Sequence, residues 1–574
     1  MTKQGGRHVR GDLKFMRPSF VFFLCLCLVV VKAEYAQLLG DSLLFYEAQR
    51  SGRMPTNNRV TWRNDSALTD GSDVNLDLAG GYYDAGDYIK FTFPLCYTLT
   101  TLSWGGIEYF QGYKKAAQLE YLRSMLKWGT DWLIKAHPSP DVLYVQVGNS
   151  EIDNRYWGPD TNIPLPRPSY QINGSAFGTD VAAEAASAFA STSILFRMLA
   201  QESGNRDDDA YAQLLLNHAQ QLYNASTHIR PFRQYQDVVH LGGDFYSSSD
   251  YRDDLTLAAL WMYRATRDQI YLNDATAFYR DFGIANHIAP NNWDDKFGSV
   301  YVLFAQLTMH GDPTFESRKQ EAETYLDKLI AANRTKGGLM WWKDASANNS
   351  LSVALGVSDL LMIYASSVLL PLSRDHGNGD NSFLSKAVKY KEVAESQLKY
   401  VFGENPIHQN YVVGEAPNSP KHPHHAGASG VIGLQQMGYS ALPAHVLYGG
   451  GPDENDKFTD RLDNWAQSEV ALDYNAPYQN VLAHQVMYIV SDPVDVPSRE
   501  APQISQWLPG WIIAISVILP ITAIAIIVGI IWLRRRNRLS SKNNKRSSAD
   551  STIPILTVQT PPRAHVHEKN MTTV

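Results

Sequence analysis

Cysteine is nearly absent: the chain has 3 in 574 residues. Cys25 and Cys27 lie in the first apolar run, which leaves Cys96 alone in the body. Without that run no intrachain disulfide is available, so a cross-linked scaffold is excluded. Linkers are missing too. Between Ala33 and Asp492 no charge block, proline-rich run or Gly/Ser tract interrupts the chain. About 460 residues therefore read as one domain, beyond the size at which a core usually splits, which points to a periodic architecture. An excess of positive charge is lacking in the total, which is −7; nucleic acid is therefore not an expected partner. The 44% apolar content excludes wholesale disorder.

Two long hydrophobic runs are present. The first, Ser19 to Val31, follows Lys3, Arg7, Arg10, Lys14 and Arg17. It is short for a membrane span, and Val31-Lys32-Ala33 suits a signal peptidase, so residues 1–33 are expected to be a cleaved signal peptide. The second, Ile512 to Leu533, is uncharged and long enough to cross a bilayer. Trp507, Trp511 and Trp532 stand near its ends, and Arg534, Arg535, Arg536 and Arg538 follow at once. Interfacial indoles and a basic flank predict a single-pass type I protein with its body outside the cell membrane. Residues 493–511 then form a proline-rich stalk and 534–574 a disordered basic tail. The body between the leader and the tail carries 36 basic and 55 acidic side chains. Five N-x-S/T sequons fall in it, at Asn64, Asn173, Asn224, Asn333 and Asn348; on a secretory route they are glycosylation acceptors.

Helical periodicity dominates residues 34–492. The spacing predicts helices over Leu38–Arg50, Phe93–Phe110, Lys115–Ala136, Asp180–Glu202, Asp207–Ala225, Asp250–Thr266, Gln269–Asp281, Lys296–Leu307, Glu316–Ala332, Asn349–Leu370, Ser382–Phe402 and Asn475–Ile489. Asp180 is placed as an N-cap. Twelve helices in sequential hairpins can close into an all-α barrel of six inner and six outer helices. Ser51–Thr92, Pro138–Gly178 and Gly403–Asp473 read as long irregular stretches, and loops of that length in a compact domain are usually functional.

Three segments in or beside these stretches carry candidate chemistry. Gly80-Gly81-Tyr82-Tyr83-Asp84-Ala85-Gly86-Asp87 holds two carboxylates three residues apart in a glycine-flanked turn. Such a pair can hold and deprotonate a water; an Asx turn or a calcium loop uses the same residues. Phe458 to Ala476 embeds Glu469 near Trp465, Val470 and Tyr474. An apolar setting raises a carboxyl pKa, as a general acid needs, while a helix start also favours Glu. His422, His424 and His425 cluster, but no thiol or carboxylate stands at a metal-ligand spacing, so hydrogen bonding to a polar substrate is the better reading.

These segments together resemble glycoside hydrolase family 9, the inverting cellulases. GGYYDAGD with Lys90 and Phe91 is similar to the family's N-terminal signature. F-x-D-x4-W-x3-E-x-A-x3-N-A, from Phe458 to Ala476, is similar to its C-terminal one. Tyr144–Gly148 with Trp157-Gly158-Pro159, and Gly178–Glu184, extend the likeness over roughly the whole body. The resemblance implies an (α/α)6 barrel and an endo-β-1,4-glucanase acting on β-1,4-glucan, with no cofactor required. It implies Asp87 as general base, Asp84 as its helper and Glu469 as general acid. It also places His424 and Asp460 in the active site, stacks Tyr474 on a sugar, and leaves His425 a substrate-binding candidate; Trp157 and Trp293 are further stacking candidates, with core packing as the alternative for each. Some members bind structural calcium through a Ser-x3-Asp-Glu stretch; Ser249, Asp253 and Asp254 stand at those places, and an acidic helix start is the alternative. Two positions depart from the pattern. Ala426 stands where the family usually has Arg, and Asn348 where many members have Trp. Those losses leave a second reading open, a glycan-binding surface protein with weak or lost catalysis.

Overall fold

The computed structural model describes residues 34–241, 245–375, 381–430, 432–433 and 449–489. Contacts divide the chain into two units, Met1–Ile504 and Ser505–Val574, and the described residues all belong to the first. The expected leader 1–33, stalk 493–511, span Ile512–Leu533 and tail lie outside the described residues.

Twelve main helices follow one another. They are α1 (34–48), α2 (Thr92–Glu108), α3 (Leu119–Ala136), α4 (Thr179–Ser203), α5 (Arg206–His228) and α6 (Arg252–Thr266). The second half has α7 (Gln269–Asp281), α8 (Phe297–Thr308), α9 (Phe315–Ile330), α10 (Ser350–Tyr364), α11 (Ser382–Val401) and α12 (Leu472–Ile489). The even-numbered helices pack in sequence order, and α12 returns to pack on α2. The odd-numbered helices α3 to α11 each pack on the preceding even one. Helix α1 joins α12 through Tyr46, whose hydroxyl donates to the Leu472 carbonyl at 3.1 Å. The ring is therefore the (α/α)6 barrel expected from the twelve periodic segments, all of which are found to within about a turn.

Burial distinguishes the two rings. Every residue of α10 is buried. Helix α9 buries only Ala322, Tyr325, Leu326 and Leu329, one stripe at helical spacing. Among the described residues Ser350–Asp375 is the one helix long and apolar enough to cross a membrane. Since 83% of its apolar window is buried within the protein, it is a barrel wall. It runs past the expected end at Leu370 through a π-helical turn, Ala365–Leu369. Pro371 follows, and a residue without an N–H makes the ladder widen just before it. Ring closure needs a close approach: a Cβ on Gly105 of α2 would lie 1.8 Å from Asn480 Oδ1 of α12. Asn480 donates to the Thr101 carbonyl and to Asp359 Oδ2, both at 2.9 Å, tying α2, α10 and α12.

Two sequence expectations change. The N-cap of α4 is Gly178, not Asp180. The Asp180 carboxylate sits one step inside, accepting the Val181 N–H at 2.8 Å and the Tyr235 N–H at 3.0 Å. The loops are also less irregular than expected. Strands β1 (Lys90–Phe91), β2 (Leu143–Val147) and β3 (Ser169–Ile172) form an antiparallel sheet in that order, pairing Lys90 with Val147 and Leu143 with Ile172. β1 has two residues and β2 is buried throughout, so neither shows the alternation that marks a strand. Under the sheet Asp70 pairs with Lys90 at 2.8 Å and Arg167 at 2.7 Å, all buried.

Candidate active site

The turn carrying Asp84 and Asp87 ends directly at β1. Its backbone is pinned from three directions. The Asp84 N–H donates to the Ile89 carbonyl at 3.0 Å, and the Asp84 carbonyl accepts the Leu472 N–H at 3.0 Å. The Gly86 carbonyl accepts the Ala426 N–H at 2.7 Å. A Cβ on Gly86 would stand 2.0 Å from the His424 carbonyl oxygen, so only glycine permits this approach. His424 in turn bridges Glu469, and its N–H donates to the Ser468 carbonyl at 3.0 Å. Main-chain bonds thus lace residues 84–87, 424–426 and 468–472 into one floor.

Asp84, Asp87, His424, Glu469 and Tyr474 face a single cavity of about 1310 Å3. That exceeds the roughly 300–1,000 Å3 of an ordinary small-molecule pocket and leaves room for several sugar rings. Trp157, Trp293, Trp341 and Trp342 line its walls. Among the described residues seven carboxyl side chains line it against one cation, Lys343. Such a cleft repels polyanions and suits a neutral ligand with apolar faces and many hydroxyls.

The carboxyls are electrostatically unequal. Burial pushes Glu469 up to about 7. Asp84 is raised by burial and by the Asp473 charge, but the Tyr246 hydroxyl donates to its Oδ2 at 2.5 Å and favours the anion. Asp87 is raised by burial and by Asp153, while the Ile89 N–H, 3.4 Å from its Oδ1, opposes the rise. The hydrogen bonds oppose the rise without reversing it, so all three carboxyls stand above the ordinary range, and Glu469 and Asp84 each raise the pKa of their carboxyl neighbours. His424 is neutral: burial lowers its pKa, and its Nδ1 donates to the Leu462 carbonyl at 2.7 Å, presenting Nε2 as an acceptor. Its ring packs on Trp157 with centroids 4.8 Å apart.

A scan of family models matches residues 35–482 to glycosyl hydrolase family 9. The chain belongs to that family. It is a glycoside hydrolase, and its curated relatives agree. It is 38% identical over 496 residues to Endoglucanase 13 of Arabidopsis thaliana, covering 80% of this chain and 96% of the relative. It is 36% identical over 464 residues to Endoglucanase A of Bacillus pumilus, covering 79% of this chain and 66% of the relative. Among solved structures the endoglucanase of the termite Nasutitermes takasagoensis aligns with TM-score 0.70 at 37% identity, covering 79% of this chain and 98% of that one. Endoglucanase CelQ of Clostridium thermocellum complexed with cellotetraose aligns with TM-score 0.67 at 26% identity, covering 81% and 73%.

Several residues expected in this family 9 site stand elsewhere. His425 is fully buried behind the cavity and does not line it: its Nε2 contacts Gln49 Oε1 at 2.7 Å, and its Nδ1 accepts the Ala428 N–H at 3.0 Å. A side chain with both nitrogens spent on the protein cannot bind sugar. Asp460 also lies outside the cavity lining, where it accepts the backbone N–H groups of Lys421 at 2.7 Å and His422 at 3.1 Å. It shapes the loop that presents His424. The calcium residues do not gather as a metal site either. Lys296 reaches Asp254 at 3.0 Å, its backbone N–H donates to Asp253 Oδ2 at 2.7 Å, and Ser249 contributes its N–H to Asp294 at 2.7 Å. Among the described residues no cluster of three ligating side chains is found, and the acidic start of α6 is neutralised by the protein's own lysine.

Other site residues carried no usable sequence signal. Tyr246, the Asp84 partner, packs on Phe91 and edge-on to Trp293 at 4.9 and 4.8 Å. Asp153 lines the cavity beside Asp87, accepting the Tyr88 N–H at 3.2 Å and leaving Oδ1 buried without a partner. The Trp341-Trp342 pair was the one readable clue, since adjacent indoles in a turn rarely serve a core together. Ala426 is 3% exposed and packs on Tyr83 and Tyr88, so this position supplies no cation to the cleft.

Proposed function

We propose that the chain is an endo-β-1,4-glucanase that hydrolyses cellulose-type glucan with inversion of configuration. The observation that carries this reading is the convergence of Asp84, Asp87 and Glu469, from opposite ends of the chain, in one aromatic-walled acidic cleft. The glucan lies along the cleft with its apolar ring faces on Trp157, Trp293 and Tyr474. His424 accepts a sugar hydroxyl through Nε2. Asp84 and Asp87, ionised, hold a water between them; Asp87 removes its proton as it attacks the anomeric carbon. Glu469 gives its proton to the departing glycosidic oxygen from the other face. Inversion requires the acid and base to stand about 6.5–9.5 Å apart, leaving room for that water. No cofactor takes part. Since the candidate acid, base and water-holding groups all line the cavity, a binding-only protein is not favoured.

Proton NMR of early cello-oligosaccharide product tests the reaction. Inverted anomeric configuration at the new reducing end is expected; retention refutes the assignment of Asp87 as base. We further read the enzyme as a cell-surface type I protein held by Ile512–Leu533, on the strength of the basic and aromatic flanks of that run. Alkaline carbonate should leave the full chain in the membrane fraction and release a form ending at Gln506; release of both would remove the anchor.

A further inference from the structure

Five asparagines carry the sequon for N-linked sugar, and the fold sorts them sharply. Asn224 is exposed on the outer helix α5 and is not among the residues that line the cavity. Asn64 spends its amide nitrogen on the Trp62 carbonyl at 2.9 Å and Asp160 Oδ1 at 3.1 Å. Asn173 turns its Oδ1 inward to Ser175 and Ala176 in a tight turn. Asn333 and Asn348 differ from all three in lining the substrate cavity, and both are exposed, Asn348 on a turn. Among the described residues no protein group engages either side-chain amide. They share one wall with Trp341 and Trp342. The Trp341 N–H donates to the Asn333 carbonyl at 2.8 Å, and Asn348 follows the turn that starts at Trp342, whose N–H is held by Ser346 Oγ at 3.1 Å.

We propose that Asn333 and Asn348 are modification sites, whose N-linked oligosaccharides stand along the Trp341–Trp342 wall and limit the length of glucan the cleft admits there. The donor is a polyprenyl-diphosphate oligosaccharide. The asparagine Nδ2 forms a bond to the anomeric carbon, the bond from that carbon to the diphosphate oxygen breaks, and the Nδ2 proton leaves with the diphosphate. An attached oligosaccharide is bulky and strongly hydrated. On α5 it would stand outside the cavity lining; on this wall it takes up cavity space, and the longer the glucan, the more of that space it needs. The effect on substrate length rests on the glucanase reading, whereas the modification does not.

The test uses the full chain expressed through a eukaryotic secretory pathway. Peptide mass mapping reads sugar at each asparagine, with Asn224 reporting passage through the pathway. Hydrolysis of carboxymethyl-cellulose and of cellotetraose is then compared before and after an endoglycosidase trims each oligosaccharide to one residue. The expected result is sugar at Asn333, Asn348 or both, with polymer hydrolysis rising severalfold on trimming and cellotetraose hydrolysis unchanged. Bare asparagine at both positions overturns the proposal, whether or not Asn224 is occupied. Occupied positions with no gain on the polymer overturn the length limit. Failure to cut either substrate in either form refutes the glucanase reading, and the peptide map still decides the modification.

Discussion

Replacing Glu469 with Gln should lower activity and raise stability at once. Burial holds the folded carboxyl at about 7, above the 4.5 of the exposed group. Ionising it in the folded protein therefore costs free energy. The cost is absent below about pH 4.5, grows until about pH 7 and is constant above, where it amounts to about 3 kcal/mol. Gln keeps the shape and removes the charge, so the variant's gain in thermal stability should be nil at pH 4 and reach about 2–3 kcal/mol above pH 7. Catalysis moves the other way. General acid assistance is worth about 10²–10⁴ in rate, or about 3–5 kcal/mol of barrier. Cellulose hydrolysis by the wild type should fall tenfold per pH unit above about 7, as Glu469 loses its proton. In Glu469→Gln that alkaline limb should vanish along with most of the rate. A dinitrophenyl cellobioside, whose leaving group needs no proton, should keep most of its rate. Melting curves at several pH values and pH–rate profiles on both substrates check this. A persistent alkaline limb, an equal loss on the activated substrate, or a variant less stable at pH 8 would refute Glu469 as the buried proton donor.

Other perturbations separate positioning from packing. Tyr246→Phe removes the donor to Asp84 and should cut kcat by about tenfold or more with KM little changed, for the ~1.5–3 kcal/mol typical of a hydrogen bond to a charged group; since that bond lowers the Asp84 pKa, the acid limb should shift upward, and an unmoved limb counts against the role. Asp70→Asn leaves Lys90 and Arg167 buried with no counter-charge and should destabilise by about 3–5 kcal/mol in denaturant titration. Because Lys296 neutralises the start of α6, EDTA should leave melting temperature and activity unchanged; a drop restored by calcium would show that a metal displaces the lysine.

The barrel was legible because its helices obey two different burial rules, and both leave long periodic runs. The stripe Ala322, Tyr325, Leu326, Leu329 reads at once as an outer helix. The wholly buried α10 reads as helix only from its length, and the same apolarity makes it pass a membrane test. The acid and base were legible through motif, since local spacing encodes a turn or a helix entry. What the motif could not convey was which neighbour spends its polar atoms on substrate and which on protein. His424 and His425 are adjacent, yet one lines the cavity and the other braces Gln49. Tyr246 lies 162 residues from Asp84, and no local pattern pairs them. The three-stranded sheet escaped for the plainer reason that a two-residue strand has no period.

The bond from the Leu472 N–H to the Asp84 carbonyl joins the first working residue of the chain to the element that closes the ring. Its consequence concerns time. Asp84 and Asp87 leave the ribosome early, but Glu469 and α12 emerge only after some 380 further residues, synthesised at about 5–20 per second. Until then Asp84 and Asp87 have neither Glu469 beside them nor the wall that Tyr474 supplies. On the proposed mechanism a growing or prematurely terminated chain is inert toward polysaccharide, and the last-made helix acts as the enzyme's own completion signal.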